Sequence, residues 1–340
     1  MDNLNQTILD GVDPEIMARL VSRREAIRKG ATVSGTVAAG IAMGSAPVLL
    51  AALSKDVFAQ TPSAILDVLQ FAFLLENLEN EFYRAVIGIS ASSAQNAAFA
   101  TVRAQIPESA HQTLHQIQKH EQQHTDFLKN TAIPLFGGVA PSLSANDFDF
   151  TGGNGSGNGP FLQATTRLDH LLLVAQAVED TGVRAYKGQA GRLLINGNNG
   201  ADVALESALR IHSVEARHAA KIRRMRRSMN MDDSTIRFSG YVRGGGVGAA
   251  GAGNISNPPA GAVAALDLIY AGEDNTVHTV FNGSAAANID AATLSGMGLI
   301  GDAAARRDAA MMAFDEPLSK DQVVAIVRGF IKDDAARGLP

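Results

Sequence analysis

Apolar residues recur at three- and four-residue intervals in four stretches of the chain. From Pro62 to about Ile87 the stripe runs Ile65, Val68, Ala72, Glu76, Glu79, Tyr83, Val86. A second runs Leu114, Ile117, Glu121, His124, Leu128, and a third Leu168, Leu172, Ala175, Glu179, Gly182, Tyr186. The fourth is Leu205, Ala208, Ile211, Glu215, His218, Ile222, Met225. That period keeps each set on one helix face, so the pattern predicts four amphipathic helices. Between the second and third, Pro134 to Pro160 contains Gly152-Gly153-Asn154-Gly155-Ser156-Gly157-Asn158-Gly159, too polar and Gly-rich for an element. It is long enough to run the length of a helix. The joins at Gly88 to Glu108, with room for a short helix, and Gly191 to Gly200 are shorter. Two hairpins joined by one long crossover define an all-α bundle.

Polar residues interrupt all four stripes in a repeating order. Glu76 is followed seven residues on by Tyr83, and Glu121 three residues on by His124; Glu179 with Tyr186 and Glu215 with His218 repeat the series. The order E-x6-Y, E-x-x-H, E-x6-Y, E-x-x-H reads as duplication of a helix hairpin. Residues three, four or seven apart share a helix face, so each pair projects one way. An unpaired carboxylate on a core-facing stripe is costly. Two divalent cations would neutralise four carboxylates, and one Glu from each of two helices with Glu-x-x-His from each of the others is the donor set of di-metal carboxylate bundles.

These motifs resemble the ferritin-like superfamily, in particular exported bacterial ferritin-like proteins related to plant desiccation-related proteins. The resemblance covers roughly Pro62 to Met229, and Phe314-Asp315-Glu316-Pro317-Leu318 with the helix after it is similar to the tail of that family. It implies a ferritin-like four-helix bundle with metal ligands Glu76, Glu121, His124, Glu179, Glu215 and His218. Tyr83, Tyr186 and Glu79 would stand behind them, the tyrosines orienting ligands by hydrogen bonds. Glu79 is also an alternative to Glu76 as ligand, although only Glu76 has a repeat mate at the same spacing. The implied cofactors are two iron or manganese ions, and the implied chemistry is reaction with dioxygen or peroxide, as an oxidase, ferroxidase or catalase-like protein in stress protection. Competing readings are a metal-free hydrogen-bonded bundle, a non-enzymatic stress or structural protein, and an iron-storing cage. His111 and His115 read as an exposed pair, His120 lies about 100° round the helix from the ligand stripe, and His170, His212 and His278 lack a repeated partner. The run Arg223-Arg224-Met225-Arg226-Arg227 is expected to compensate the negative end of the fourth helix.

Composition narrows the chemistry. The chain has no Cys, so thiolate, disulfide and iron–sulfur chemistry are excluded and a metal must sit on His and carboxylate. With 29 basic and 34 acidic residues, net −5, no global positive field exists to hold a nucleic acid. A homo-oligomer is compatible with the sequence. The 33 glycines concentrate outside the helices, which divides the chain into a bundle at 60–230, a Gly-rich linker at 231–262 and a C-terminal extension at 263–340 that packs on the bundle. Gly246-x-Gly248-x-x-Gly251 matches a dinucleotide fingerprint, but Pro258-Pro259 follows where that motif requires a helix. The extension is expected to hold a helix near Leu266, a polar segment around Gly272 to Asn275, and a last helix opened by a Ser319/Gln322 capping box.

Residues 1–59 read as an address. Arg23-Arg24, the uncharged Ala/Gly-rich run 30–54 and the small-residue site Val57-Phe58-Ala59 resemble a twin-arginine signal, with export to the periplasm or beyond. The alternative is an uncleaved signal that anchors the protein to a membrane through residues 30–54, the one membrane contact expected.

Overall fold

A computed structural model of the chain describes residues 62–193, 199–229, 231, 260–281, 286–294, 302–311 and 313–332. Four long helices form the bundle: α1 (Pro62–Ile87), α2 (Glu108–Phe127), α3 (Leu168–Gln189) and α4 (Asn199–Ser228). α1 packs along α2 and α3 along α4, with α1 against α3 and α2 against α4. The join after α1 holds two short helical segments, Ser93–Ala98 and Ala100–Arg103. α2 runs into a π-helical turn, Leu128–Ala132, just ahead of Pro134, whose missing N–H and ring oppose a continuing α-helix.

Only α2 and α4 are amphipathic in the expected way. Every position of α1 from Phe71 to Asn80 is buried, and α3 is buried at nearly every position from Leu168 to Ala185. A helix apolar all round needs cover on every side, and the cover comes from outside the bundle. The C-terminal extension comprises α5 (Ala260–Ile269), a hairpin of β1 (Val277–Phe281) and β2 (Ala286–Asp290), α6 (Ala303–Met311) and α7 (Lys320–Val327). α5 starts inside the expected linker, and the Ser319/Gln322 capping box opens α7. The hairpin, register Val277↔Asp290 to Phe281↔Ala286, and α6 carry no strong hydrophobic period and were not anticipated.

Backbone and buried charge bolt this extension to α3. Leu318 N donates to Arg184 O at 3.1 Å. The chain crosses so closely at Gly188 that a Cβ there would overlap the Leu318 carbonyl. Arg184, buried, pairs with Glu273 at 2.8 Å and donates to the carbonyls of Glu316, Ile269 and Ala271. Arg226, in the last turn of α4, is fully buried: it donates to Gln176 Oε1 and Met231 O. Arg223 pairs with Asp180, which also accepts from Tyr270 at 2.7 Å.

The Gly-rich crossover is ordered by one side chain. Asp149 accepts from Thr151 N and Oγ1 and from the amides of Gly155 and Gly157, at 2.6–3.0 Å. Burial raises its carboxyl pKa, but these bonds outweigh it and hold the group below the usual carboxylate range. Gly152, Gly155 and Gly157 take φ of +75°, +90° and +67°, the region that favours glycine. Asp149 N and Asn154 N then donate to Phe330 O and Gly329 O, joining crossover and C-terminal segment. No described helix is long and apolar enough to cross a membrane; the expected signal at 1–59 and the fingerprint match at Gly246 lie outside the described residues.

Candidate metal centre

Glu76, Glu121, Glu179 and Glu215 are each fully buried, one from each bundle helix, with His218 buried and His124 at the cluster's rim. Their donor atoms form two groups, Glu76, Glu121, His124, Glu215 and Glu121, Glu179, Glu215, His218, in which all atoms lie within 4.8 Å of one another. Glu121 and Glu215 belong to both. His124 Nδ1 is 3.0 Å from Glu76 Oε2 and 3.3 Å from Glu121 Oε2 and Glu215 Oε1. His218 Nδ1 is 2.8 Å from Glu121 Oε1 and 3.2 Å from Glu179 Oε2. Glu121 thus turns one oxygen to each histidine.

The tyrosines brace the cluster crosswise. Tyr83 of α1 donates to Glu179 of α3, and Tyr186 of α3 donates to Glu76 of α1. Burial and the accepting carboxylates push both hydroxyls well above their usual range, so each keeps its proton and remains a donor. Glu79 is also buried and stands beside the cluster, outside both groups. Its carboxyl faces Gly182, where a built Cβ would lie 3.1 Å from Glu79 Oε1 and 3.0 Å from Glu215 Oε2.

Electrostatics show how much positive charge the cluster calls for. Burial, then the neighbouring carboxylates, raise Glu79 and Glu215 well above the usual carboxylate range. Burial pushes Glu121 up to about 7 against the pull of both histidines. Burial also raises Glu76, but the His124 bond outweighs it and leaves the group lowered. Burial would lower His218, yet Glu179, Glu121 and Glu215 push it up to about 11, and carboxylates raise His124 in the same way. Protons therefore neutralise the cluster in the absence of other cations.

Protons do not satisfy its geometry. Glu121 Oε1, Glu179 Oε2, both oxygens of Glu215 and His218 Nδ1 are buried without a hydrogen bond of proper geometry. These atoms come from all four residues of the second group. A buried unsatisfied polar atom costs about 1–3 kcal/mol, so several converging ones fit a cation that accepts lone pairs from all of them. The donor set of carboxylate and imidazole suits iron or manganese.

Other histidines divide. His111 and His115 contact each other with ring centroids 6.4 Å apart, His170 is buried in α3, His278 packs on Phe314, and none of these, nor His212, joins either group. His120, set aside on its angle to the stripe, reaches the centre: its Nδ1 is 2.9 Å from His218 Nε2. The signal available in the sequence was the break in the repeat, where His120 precedes Glu121 but Val214 precedes Glu215.

Residues 64–228 match the family model of the ferritin-like domain, which covers the four helices but for the first two residues of α1, takes in every residue of both groups and supports placing the bundle in the ferritin-like superfamily. No curated protein and no solved structure matches the chain.

Proposed function

We propose that this is an exported di-metal carboxylate protein that holds two iron or manganese ions and reacts with dioxygen or peroxide in stress protection. The observation that carries the reading is the convergence of four buried carboxylates and two imidazoles from four helices into two groups sharing Glu121 and Glu215. A metal-free hydrogen-bonded network is disfavoured by the orphaned donors of the second group. Export is supported by Arg23-Arg24 and the Val57-Phe58-Ala59 site.

Glu76 and His124 would hold one ion, Glu179 and His218 the other, with Glu121 and Glu215 between them. When bound, such a pair supplies electron transfer to or from a small oxygen species. Tyr83 and Tyr186 fix the outer carboxylates through O–H donors. Glu79 stands beside the ligands, its carboxyl raised by burial and by the neighbouring carboxylates. The surrounding packing restricts access: a cavity of about 30 Å³ reaches Tyr186 between α1, α3 and α4, and one of about 20 Å³ reaches Glu79 and Gly182. Each has room for a molecule or two of water size. The roomier cleft, about 290 Å³, lies at Asp149 and Phe99 and includes none of the cluster residues.

The test is metal stoichiometry with oxygen and peroxide consumption. Reconstituted wild type should hold two ions per chain; Glu121→Ala with His124→Ala and Glu215→Ala with His218→Ala should each empty the centre, because each pair removes one shared carboxylate. A wild-type chain that binds no iron(II) or manganese(II) would refute the reading.

A further inference from the structure

The two halves of the cluster differ in one respect. His218 Nε2 is 2.9 Å from His120 Nδ1, with the rings within 9° of parallel, and His120 Nε2 is 2.8 Å from the Gln116 side chain at the surface. His124 bonds carboxylates through Nδ1, and among the described residues nothing holds its other nitrogen. The repeat mate of His120 is Val214, which has no polar atom to offer.

We infer that His120 is a positioning residue that makes the two metal positions unequal, so that the His218 position fills first and holds its ion more tightly than the His124 position. The inference rests on the di-metal reading above. A neutral imidazole carries one N–H. When His218 donates it from Nε2 to His120, its Nδ1 is left as a lone pair facing Glu121 and Glu179. His120 then carries its own proton on Nε2 and donates to the Gln116 amide, turned to present its oxygen. Ring orientation at His218, and the nitrogen it turns to an ion once the imidazole is neutral, are thus set by His120, whereas His124, with its side chain 12% exposed against 5% for His218, must be ordered by binding. Partners of this kind are worth about 10–100-fold in metal affinity.

The experiment is a calorimetric titration of the full apo chain with manganese(II). Wild type should bind in two steps roughly tenfold or more apart. Glu179→Ala should remove the tighter step and Glu76→Ala the weaker, which assigns each to its position. His120→Leu should weaken the tighter step about 10–100-fold and leave the weaker within about threefold. His120→Asn should restore it, because Oδ1 can take the place of the imidazole Nδ1 as acceptor. His120 is half-buried at the bundle surface, so an unchanged apo melting curve for His120→Leu separates the effect from misfolding. Two equal steps in wild type, or an unchanged tighter step in His120→Leu, would overturn the inference and leave the di-metal reading standing; no binding in wild type would remove both.

Discussion

Gly182→Ala sets backbone preference against the metal centre. Gly182 lies inside α3, where alanine is favoured over glycine by roughly 0.8–1.0 kcal/mol. On that ground alone the variant should be more stable. The new methyl carbon, however, would stand 3.0 Å from Glu215 Oε2 and 3.1 Å from Glu79 Oε1, a few tenths of an ångström closer than an ordinary carbon–oxygen contact of about 3.5 Å. In the apo chain this is relieved easily, since neither Glu215 oxygen is tied by a well-formed hydrogen bond.

With ions bound as proposed, Glu215 would be committed to both positions, and metal–ligand distances tolerate only about ±0.2 Å. The required displacement exceeds that tolerance. The apo form of Gly182→Ala should therefore melt about 2–4 °C higher than wild type, while its affinity for manganese(II) falls about tenfold or more. Both are measurable on one preparation, by apo thermal melting and by metal titration. Wild-type affinity at both positions would refute the geometric argument. Loss of metal together with a lowered apo melting point would instead attribute the effect to general damage of α3.

Two further outcomes follow from the same geometry. Tyr83→Phe and Tyr186→Phe remove only the donors to Glu179 and Glu76, so each should retain two ions by native mass spectrometry and change the rate of oxygen or peroxide consumption; loss of an ion in either would make the hydroxyl a requirement for binding. Metal binding should also release protons: His218, pushed up to about 11, is protonated in the apo chain at pH 7.5, and a ligand must be deprotonated, so affinity should rise with pH and ions should leave on acidification. Calorimetry at pH 7.5 in buffers of different ionisation enthalpy should show net release of at least one proton per chain; none would contradict the charge assignment.

Much of the bundle was legible because its information is local. The 3.6-residue period and the interrupting Glu, His and Tyr positions are properties of single segments, and the duplicated order links them across the chain. What was illegible depends on distant cover. α1 and α3 read as amphipathic because their stripes are strong, yet their outer faces are covered from outside the four helices: α1 by the join segments Ser93–Ala98 and Ala100–Arg103, and α3 by a C-terminal extension whose attachment, Arg184 on Glu273 and Leu318 across Gly188, has no periodic signature. The crossover looked featureless because one carboxylate, Asp149, organises glycines that carry no side-chain signal. His120 was discounted by its angle, but a residue turned off the stripe between packed helices points into the seam with α4 rather than to water. The burial of Arg226 was illegible because sequence alone does not show that Gln176 and Met231 lie within its reach.

The duplication also explains why neither hairpin can make half a centre. The first group takes Glu76, Glu121 and His124 from the α1–α2 hairpin and Glu215 from the other; the second takes Glu179, Glu215 and His218 from the α3–α4 hairpin and Glu121 from the first. Each hairpin supplies three donors to its own group and lends its E-x-x-H carboxylate to its neighbour. The tyrosines cross in the same sense, Tyr83 to Glu179 and Tyr186 to Glu76, so each outer carboxylate is aimed by the opposite hairpin. Docking the hairpins concentrates four carboxylates in the interior, which is unfavourable until protons or metal ions compensate them. An ion in either position would neutralise charge from both hairpins at once, so metal binding and hairpin docking would be thermodynamically coupled. The pairing of a duplicated sequence with exchanged braces thus makes the centre a property of the whole bundle, and it leaves the unpaired His120 as the feature that distinguishes one half from the other.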